Sequence, residues 1–587
     1  SGVVFSTPDG DIQQLPLDKV TVDALVVDLS ARVDIIQRFH NSSPDATPRA
    51  KYVFPVPARA AICGFEMHTA NGGVLVGKVK ERLRAQDQHE TALQEGKRSA
   101  LLDWATDDGT CSASYVMDLM LGDVESQVRF YVPVAVGQRY GQPPSNMENA
   151  SSPAAHTRIR FNIHIQMQRS IKLVSCPSHE GLVLQPHQTR SGKNSKRKVV
   201  AKLRSQDFLA QDFVLLIDAE GLDEPRCLVE YNNRGMNTVA LRLTLYPKFE
   251  LPTRKAQEFI FLVDRSGSMW GQRIEIAKQA LTRLLRILPR DGTIFNVFSF
   301  GDGCKYRWSR SVIYADDTLN EMVCYVTSME ADLGGTEIDS ALRMTLDSRS
   351  KDIATAVFVL TDGGAYNVDE VKRHVKERVI QSHPDAPLRV FTLAIGEEVS
   401  TEMCQGIADA GNGECLWATT AETIFHKCAA LVHAGSTFTL KDIWVHWGLP
   451  PKLLQQGVPN RAARLLVEGQ VLRQSPSIIP VLSPGRRITV FALLEGDNLI
   501  VPDRVVLHAK RDGAGPPLEF EIPVRQVEFE AKNTHVQLLH TLAAKAIISE
   551  LQDLNLSDPT VAEDRVKASI ISLGEHYQLA SRFTSFV

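Results

Sequence analysis

Apolar and polar residues alternate along much of the first part of the chain, which is the pattern of half-buried β-strands. Residues 15–41 show this alternation with many β-branched side chains, and residues 50–57 and 73–79 add shorter runs. The period changes at residues 80–94, where the apolar side chains fall on one face of a predicted helix. Strand patterns then resume at residues 114–120 and 127–134, so the chain opens with a β-rich unit that one helix interrupts.

A second β-rich region follows residues 137–152, a stretch rich in Pro, Gly, Ser and Asn that is typical of a loop. Residues 158–167, 213–218 and 238–246 alternate as strands do. Between them, residues 190–204 carry seven Lys or Arg and no acidic residue. This composition favours a solvated, mobile loop over a site for an anionic partner, because no aromatic side chain is interleaved with the charges.

From residue 257 to about residue 435, apolar strand patterns alternate with helical ones. The predicted strands are 259–263, 293–300, 355–360, 388–395 and 414–417. Alternation of this kind implies right-handed crossovers and a mostly parallel sheet with helices on both faces. The sequence therefore predicts a central, doubly wound, Rossmann-like α/β domain.

The last part of the chain returns to strand patterns and then ends in two helical stripes, at residues 535–551 and 566–573. The fold class that we predict is multidomain α+β, with β-sandwich-like regions flanking the α/β domain. The predicted divisions are 1–136, 137–255, 256–435, 436–530 and 531–587. The apolar ending SRFTSFV has no stop signal, which is compatible with a natural chain that continues beyond Val587.

The chemistry is concentrated where the first strand of the central domain ends, in the segment FIFLVDRSGSM. Asp264, Ser266 and Ser268 alternate there, so a loop after a buried strand can turn all three oxygens towards one centre. Two later loops can complete the set, with Thr336 in ADLGGTEID and Asp362 in VFVLTDGG. Loops at the carboxyl ends of parallel strands meet at one edge of the sheet. Carboxylate and hydroxyl oxygens suit a hard cation, so we expect these five residues to hold Mg²⁺ or Mn²⁺.

Composition adds little to this picture. Hydrophobic residues make up 43% and charged residues 23% of the chain, and the formal net charge of -4 gives no reason to expect nucleic acid as a partner. No apolar stretch approaches the roughly eighteen residues that cross a bilayer, and the first residues do not form a signal peptide. The nine cysteines are scattered and contain no C-x-x-C pair, which favours a reduced, cytoplasmic protein, with secretion as the alternative.

The motifs resemble two known domain families. The combination D-x-S-x-S, GGT and TDG, each after a predicted strand or in a predicted loop, makes the region from Phe259 to Gly435 similar to a von Willebrand factor A domain with a metal-ion-dependent adhesion site. The segments LPLDKVTVDALVVDLSARV, YVFPVPARAAICGFEM and GGVLVGKVKERLRAQ resemble the VIT (vault protein, inter-alpha-trypsin) domain. The inter-alpha-trypsin inhibitor heavy chains and vault poly(ADP-ribose) polymerase pair the same two domains.

The resemblance implies protein binding rather than catalysis. In such domains the two serines and the threonine contact Mg²⁺, Mn²⁺ or Ca²⁺, and the aspartates act directly or through water; here these are Ser266, Ser268, Thr336, Asp264 and Asp362. One coordination position is left for an Asp or Glu carboxylate of a protein partner. By analogy with the heavy chains, residues 140–255 and 436–530 are expected to form one unit into which the A domain is inserted.

Two other functions stay open from the sequence. A hydrolase or transferase has little support, since no zinc-protease, nucleophile-elbow or phosphate-loop motif occurs. A structural protein with a non-functional metal loop would explain each Ser, Thr and Asp separately through capping and turns. It explains less well why all five positions keep oxygen ligands. The sequence does not indicate the oligomeric state.

Overall fold

The computed structural model describes the greater part of the chain. The described residues are 2–6, 12–14, 17–39, 50–53, 60–68, 74–94, 112–121, 126–133, 158–188, 192–205, 212–232, 237–246, 252–362, 368–396, 401–418, 424–449, 472–479, 481–482, 487–496, 501–511, 517–527, 537–557 and 563–587. The loop expected at 137–152 lies outside them.

Up to residue 246 the structure contains mainly strands. In chain order the elements are β1 Gly2–Ser6, β2 Ile12–Gln14, β3 Leu17–Val27, β4 Ser30–Phe39, β5 Ala50–Val53, β6 Ala60–His68, β7 Val74–Val76, β8 Val79–Glu81, α1 Arg82–Gln94, β9 Ser112–Asp118, β10 Met120–Leu121, β11 Gln127–Val132, β12 Arg158–Gln166, β13 Ile171–Ser175, β14 Val183–Gln188, β15 Asn194–Ser205, β16 Phe213–Ala219, β17 Arg226–Asn232 and β18 Thr238–Leu245. The helix expected from residue 80 begins at Arg82, because the two residues before it belong to β8.

Strands and helices alternate in the central part of the chain, and strands followed by helices close it. The central elements are β19 Gln257–Asp264, α2 Gln272–Arg286, β20 Thr293–Phe300, β21 Cys304–Tyr306, β22 Val312–Ile313, α3 Asp316–Thr327, α4 Ile338–Ser348, β23 Ala354–Thr361, α5 Val368–Ile380, β24 Leu388–Ile395, α6 Thr401–Ala410, β25 Asn412–Ala418 and α7 Ile424–Ser436. The last elements are β26 Leu440–His446, β27 Leu472–Ser475, β28 Ile488–Glu495, β29 Arg504–Arg511, β30 Leu518–Gln526, α8 Leu538–Ser557, α9 Glu563–Tyr577 and β31 Thr584–Phe586.

Two sheets enclose the first core. An eight-stranded sheet in the order β14-β15-β12-β3-β4-β9-β6-β7 faces a four-stranded sheet in the order β10-β11-β16-β13. Their inner faces share one apolar cluster, in which Phe161 of the larger sheet stacks on Phe213 of the smaller one with ring centroids 4.2 Å apart. Strands from residues 158–219 thus pack with strands from residues 17–132.

The basic stretch at residues 190–204 is not the mobile loop that its charge indicated. From Asn194 to Ser205 it forms β15, which pairs antiparallel with β12 and β14. The reason is a period-two alternation beneath the charges, since Ala201 and Leu203 are buried in the sandwich core. The neighbouring Lys202 and Arg204 lie on the opposite, outer face of the sheet.

A seven-stranded sheet joins strands from both sides of the central α/β unit. Its order is β26-β29-β30-β17-β18-β28-β27, so β17 and β18 precede the α/β unit in the chain and the other strands follow it. Val229 and Leu241 from before the unit share one core with Leu440 and Val490 from after it. The exact divisions between domains stay predictions, but pairing across the α/β unit is a feature of the structure.

The central unit has the predicted doubly wound α/β fold. Strands β20, β19, β23, β24 and β25 pair in parallel in that order, and β21 and β22 pair antiparallel with β20. Side chains alternate along β19, so Phe259 and Phe261 face the cluster built on α2, α3 and α7, whereas Ile260 and Leu262 face α4, α5 and α6. Burial on both faces explains the continuous apolar run in the sequence.

The two C-terminal helices connect the two large sheets. Residues of α8 and α9 pack against Val27 and Val116 of the eight-stranded sheet and against Leu228 and Leu493 of the seven-stranded sheet. Among the described helices, none is both long and apolar enough to cross a membrane.

Candidate metal centre

The first loop of the candidate centre begins at Asp264, the last residue of the central strand β19. Its side chain is fully buried, and strands pair with β19 on both sides. Oδ1 accepts a hydrogen bond from the backbone N–H of Ser266 at 2.9 Å, and Oδ2 accepts one from the hydroxyl of Thr361 at 2.6 Å. Burial raises the pKa of Asp264 to about 6, although these hydrogen bonds act in the opposite direction. A cation beside this carboxylate would favour its charged form.

The two serines of this loop lie side by side. The hydroxyl oxygens of Ser266 and Ser268 are 3.0 Å apart. Ser266 is buried, whereas Ser268 is exposed in a short 3₁₀ turn, Gly267–Met269, which the buried Met269 anchors in the core. The first loop therefore places two neutral oxygen ligands side by side, one buried and one exposed.

The second loop, which carries Thr336, packs directly against the first. The backbone N–H of Gly267 donates to the carbonyl of Gly334 at 2.7 Å, and the N–H of Leu333 donates to the carbonyl of Arg265 at 3.1 Å. Thr336 follows two residues after Gly334 and is half-buried. A Cβ on Gly267 would lie 3.6 Å from the Gly334 carbonyl oxygen, which is an ordinary contact, so this approach does not itself require glycine at position 267.

Asp302 positions the second loop, although it was not among the residues predicted from the sequence. Its Oδ1 accepts a hydrogen bond from the backbone N–H of Gly335 at 2.7 Å, and its own N–H donates to Leu333. Gly334 has φ +76, and a Cβ there would lie 2.1 Å from Asp302 Oδ2. The only sequence signal was the turn-like GDG around Asp302, which does not indicate what its carboxylate contacts.

Asp362 supplies the third loop and lies beside a guanidinium. It follows β23, the strand paired with β19, and it is fully buried. Nη1 of Arg273 donates to Asp362 Oδ2 at 3.1 Å and to the carbonyl oxygen of Ser268 at 3.2 Å. Arg273 comes from the first turn of α2, and it was not among the residues predicted from the sequence.

These contacts bring the predicted residues to one edge of the sheet. Asp264, Ser266 and Ser268 are linked directly, Asp362 is linked to the first loop through Arg273, and Thr336 arrives on the loop bonded to Gly267. Two buried carboxylates with one guanidinium leave an excess of negative charge. The ligand set of carboxylate and hydroxyl oxygens fits a hard divalent cation.

A second cluster of possible ligands lies on α4 and α5, but it already contains a cation. Ligand atoms of Asp339, Glu370 and His374 lie within 4.8 Å of one another. Arg343 bonds to Asp339 at 2.9 Å and to His374 Nε2 at 2.5 Å, and it lies 3.7 Å from Glu370. Arg343 thus balances these acids as part of an ion-pair network.

Comparison with known families assigns two parts of the chain. Residues 17–125 match the model of the vault protein inter-alpha-trypsin domain, and residues 257–415 match that of the von Willebrand factor type A domain. The chain contains a VIT domain and a type A domain. The resemblance drawn from the motifs is confirmed, and the candidate centre belongs to the type A domain.

Relatives named after the von Willebrand factor A domain match nearly the whole chain. A von Willebrand factor A domain-containing protein of Dictyostelium discoideum is 27% identical over 569 residues, which is 94% of this chain and 56% of that protein. The von Willebrand factor A domain-containing protein 5A of Rattus norvegicus is 26% identical over 623 residues, 98% of this chain and 71% of that protein. The chain thus spans little more than half the length of the first of these relatives.

Among solved structures, a von Willebrand factor type A protein from Catenulispora acidiphila has a TM-score of 0.34 and 17% identity. The match covers 60% of this chain and 87% of that one.

Proposed function

We propose that the chain is a metal-dependent protein-interaction module whose type A domain binds a divalent cation. The cation is Mg²⁺, or Mn²⁺ or Ca²⁺ in its place, and Asp264, Ser266, Ser268, Thr336 and Asp362 hold it. One observation carries the proposal: the fully buried carboxylates of Asp264 and Asp362 follow adjacent parallel strands, next to two hydroxyls only 3.0 Å apart. Arg273 pairs with one of these two buried carboxylates, and a further cation would favour the charged form of the other.

The partner that fits this site offers an Asp or Glu side chain. Three of the five proposed ligands are neutral hydroxyls, so the two carboxylates do no more than balance the charge of a divalent cation, and its remaining coordination position stays electrophilic. The guanidinium of Arg273 adds a further positive charge at the rim. A carboxylate from a partner protein would complete the coordination and neutralise that charge.

An exposed aromatic side chain next to the loop favours a protein partner. Trp270 follows the metal loop directly and is 81% exposed. Tryptophan is enriched among the residues that dominate binding energy at protein interfaces. We therefore place Trp270 in the interface, beside the cation.

The proposal is tested by capturing partners from a cell extract on the immobilised chain, with Mg²⁺ and with EDTA in parallel. Proteins retained with Mg²⁺ should elute in EDTA and should be lost from an Asp264→Ala variant. A Ser268→Ala variant should also lose them. Its matched control is Ser328→Ala, since Ser328 is an exposed serine at the end of α3 in the same domain. Equal capture in Mg²⁺ and EDTA would contradict the proposal and favour a structural role.

We also propose that this interaction takes place in the cytoplasm. The eight cysteines that the structure describes are all free thiols, and Cys227, Cys404, Cys415 and Cys428 are buried. A reducing compartment suits a chain of this kind. Fractionation of cells that express the tagged protein would check this assignment.

A further inference from the structure

The outer face of the eight-stranded sheet brings basic residues of four strands together at one end. Along β15 and β12, Arg204 lies directly opposite Arg160. Along β3 and β4, Lys19 lies directly opposite Arg38. Strands β15, β12, β3 and β4 are consecutive in the sheet, so the four cations occupy neighbouring positions; we call them the basic corner.

Alternation along the strands directs these side chains away from the core. Ile159 and Phe161 flank Arg160 in the chain, and both are buried in the sandwich. Arg38, Arg160 and Arg204 are exposed, and Lys19 is half-buried. Neighbouring strands are about 4.8 Å apart, so the basic corner is roughly 15 Å across.

Among the described side chains of these strands, Asp23 and Asp34 lie on the same face, but neither pairs with the basic corner. Asp23 accepts a hydrogen bond from Asn162 at 2.8 Å, and Asp34 pairs with Arg32 at 3.3 Å. Within the part of the chain that the structure describes, no recorded ion pair involves the four residues of the basic corner. Like charges directly opposite each other on a sheet repel, so this arrangement costs stability when nothing is bound.

We propose that the basic corner is a binding site for a compact, multiply phosphorylated anion. Three guanidinium groups can each bond two phosphate oxygens, and an anion of high charge density would convert the repulsion between the cations into attraction. No Phe, Tyr or Trp lies among the described residues of β3, β4, β12 and β15 on this face, so bases of a nucleic acid have nothing to stack on. This site is separate from the metal centre and does not depend on it.

The test measures binding of inositol hexakisphosphate by titration calorimetry at physiological salt. The double variant Arg160→Gln/Arg204→Gln should weaken binding by about tenfold or more, because it removes charge-assisted hydrogen bonds. The matched control is Lys196→Gln/Arg197→Gln, which removes two exposed charges from the other end of β15. The control should bind as the unchanged protein does.

Folding is checked in the same samples without ligand. Relief of repulsion should leave the melting temperature of Arg160→Gln/Arg204→Gln unchanged or raise it. A second double variant, Lys19→Gln/Arg38→Gln, should weaken binding in the same way. Unchanged affinity in both double variants would overturn the proposal, and so would an equal loss in the Lys196→Gln/Arg197→Gln control, which would show that net charge alone matters.

Vesicles that contain phosphatidylinositol bisphosphate distinguish the source of the phosphates. Co-sedimentation that soluble inositol hexakisphosphate competes away would assign the site to a lipid headgroup. Binding of the soluble anion without co-sedimentation would assign it to a free phosphorylated metabolite. Absence of binding in both experiments would overturn the proposal.

Discussion

The carboxylate of Asp302 accepts a hydrogen bond from the backbone N–H of Gly335 at 2.7 Å, and this contact positions the loop that carries Thr336. Asp302→Ala removes the acceptor, so the loop loses a support worth about 1 kcal/mol. We expect the affinity for Mn²⁺ to fall roughly fivefold with little change in the melting temperature. Titration calorimetry checks this. Asp385→Ala, at a position with a 94% exposed side chain, should leave the affinity unchanged.

Arg273 competes with the proposed cation for Asp362. Its guanidinium lies 3.1 Å from Asp362 Oδ2, and a positive charge there disfavours a divalent cation nearby. We expect Arg273→Gln to bind Mn²⁺ more tightly, by about 1 kcal/mol or roughly fivefold. Weaker binding in this variant would show that Arg273 instead orients the carboxylate of Asp362. The proposed competition between Arg273 and the cation would then be wrong.

Trp270 should matter for capture of the partner and not for the fold. Because 81% of its surface is exposed, Trp270→Ala removes almost no internal packing. As an interface anchor it should contribute about 2 kcal/mol, so the affinity for a captured partner should fall roughly thirtyfold. Ile380→Ala is the control for loss of an exposed apolar side chain, since Ile380 ends α5 and is 73% exposed. Surface plasmon resonance with the eluted partner measures both.

Glu230 stabilises the beginning of α8 and so the contact between the helices and the seven-stranded sheet. Its carboxylate accepts hydrogen bonds from the backbone N–H groups of Leu538 and His540, both at 3.0 Å, and lies 2.7 Å from His540 Nδ1. A negative charge at a helix N-terminus is favourable, and these donors are buried.

Glu230→Gln should therefore lower the free energy of unfolding by about 2 kcal/mol. Chemical denaturation followed by circular dichroism checks this value. Glu519→Gln, which changes an exposed carboxylate on β30, should have no such effect. An unchanged transition for Glu230→Gln would mean that the helix does not need the charge.

The α/β fold was predictable because burial on both faces leaves a continuous apolar run in each parallel strand, as in residues 259–263 of β19. Asp264 and Asp362 could be placed together for the same reason, since they end neighbouring strands. The contacts of Asp302 and Arg273 could not be predicted, because an Asp in a turn and an Arg in the first turn of a helix have many ordinary roles. The contact between Glu230 and His540 spans 310 positions, and no local pattern indicates it.

Charge was the misleading signal at residues 190–204. Lys and Arg dominate the stretch, yet Ala201 and Leu203 fit the period of a strand whose inner face is buried. This stretch becomes a strand because it pairs with β12 and β14, and that pairing is not visible in the local sequence.

Titration of the metal-free chain with Mn²⁺, followed by calorimetry, measures whether the type A domain binds a divalent cation. We expect one saturable site per chain, and we expect Ser268→Ala and Thr336→Ala each to weaken binding severely while the melting temperature of the metal-free protein stays the same. Absence of saturable binding would contradict this expectation. So would an affinity in both variants equal to that of the unchanged protein.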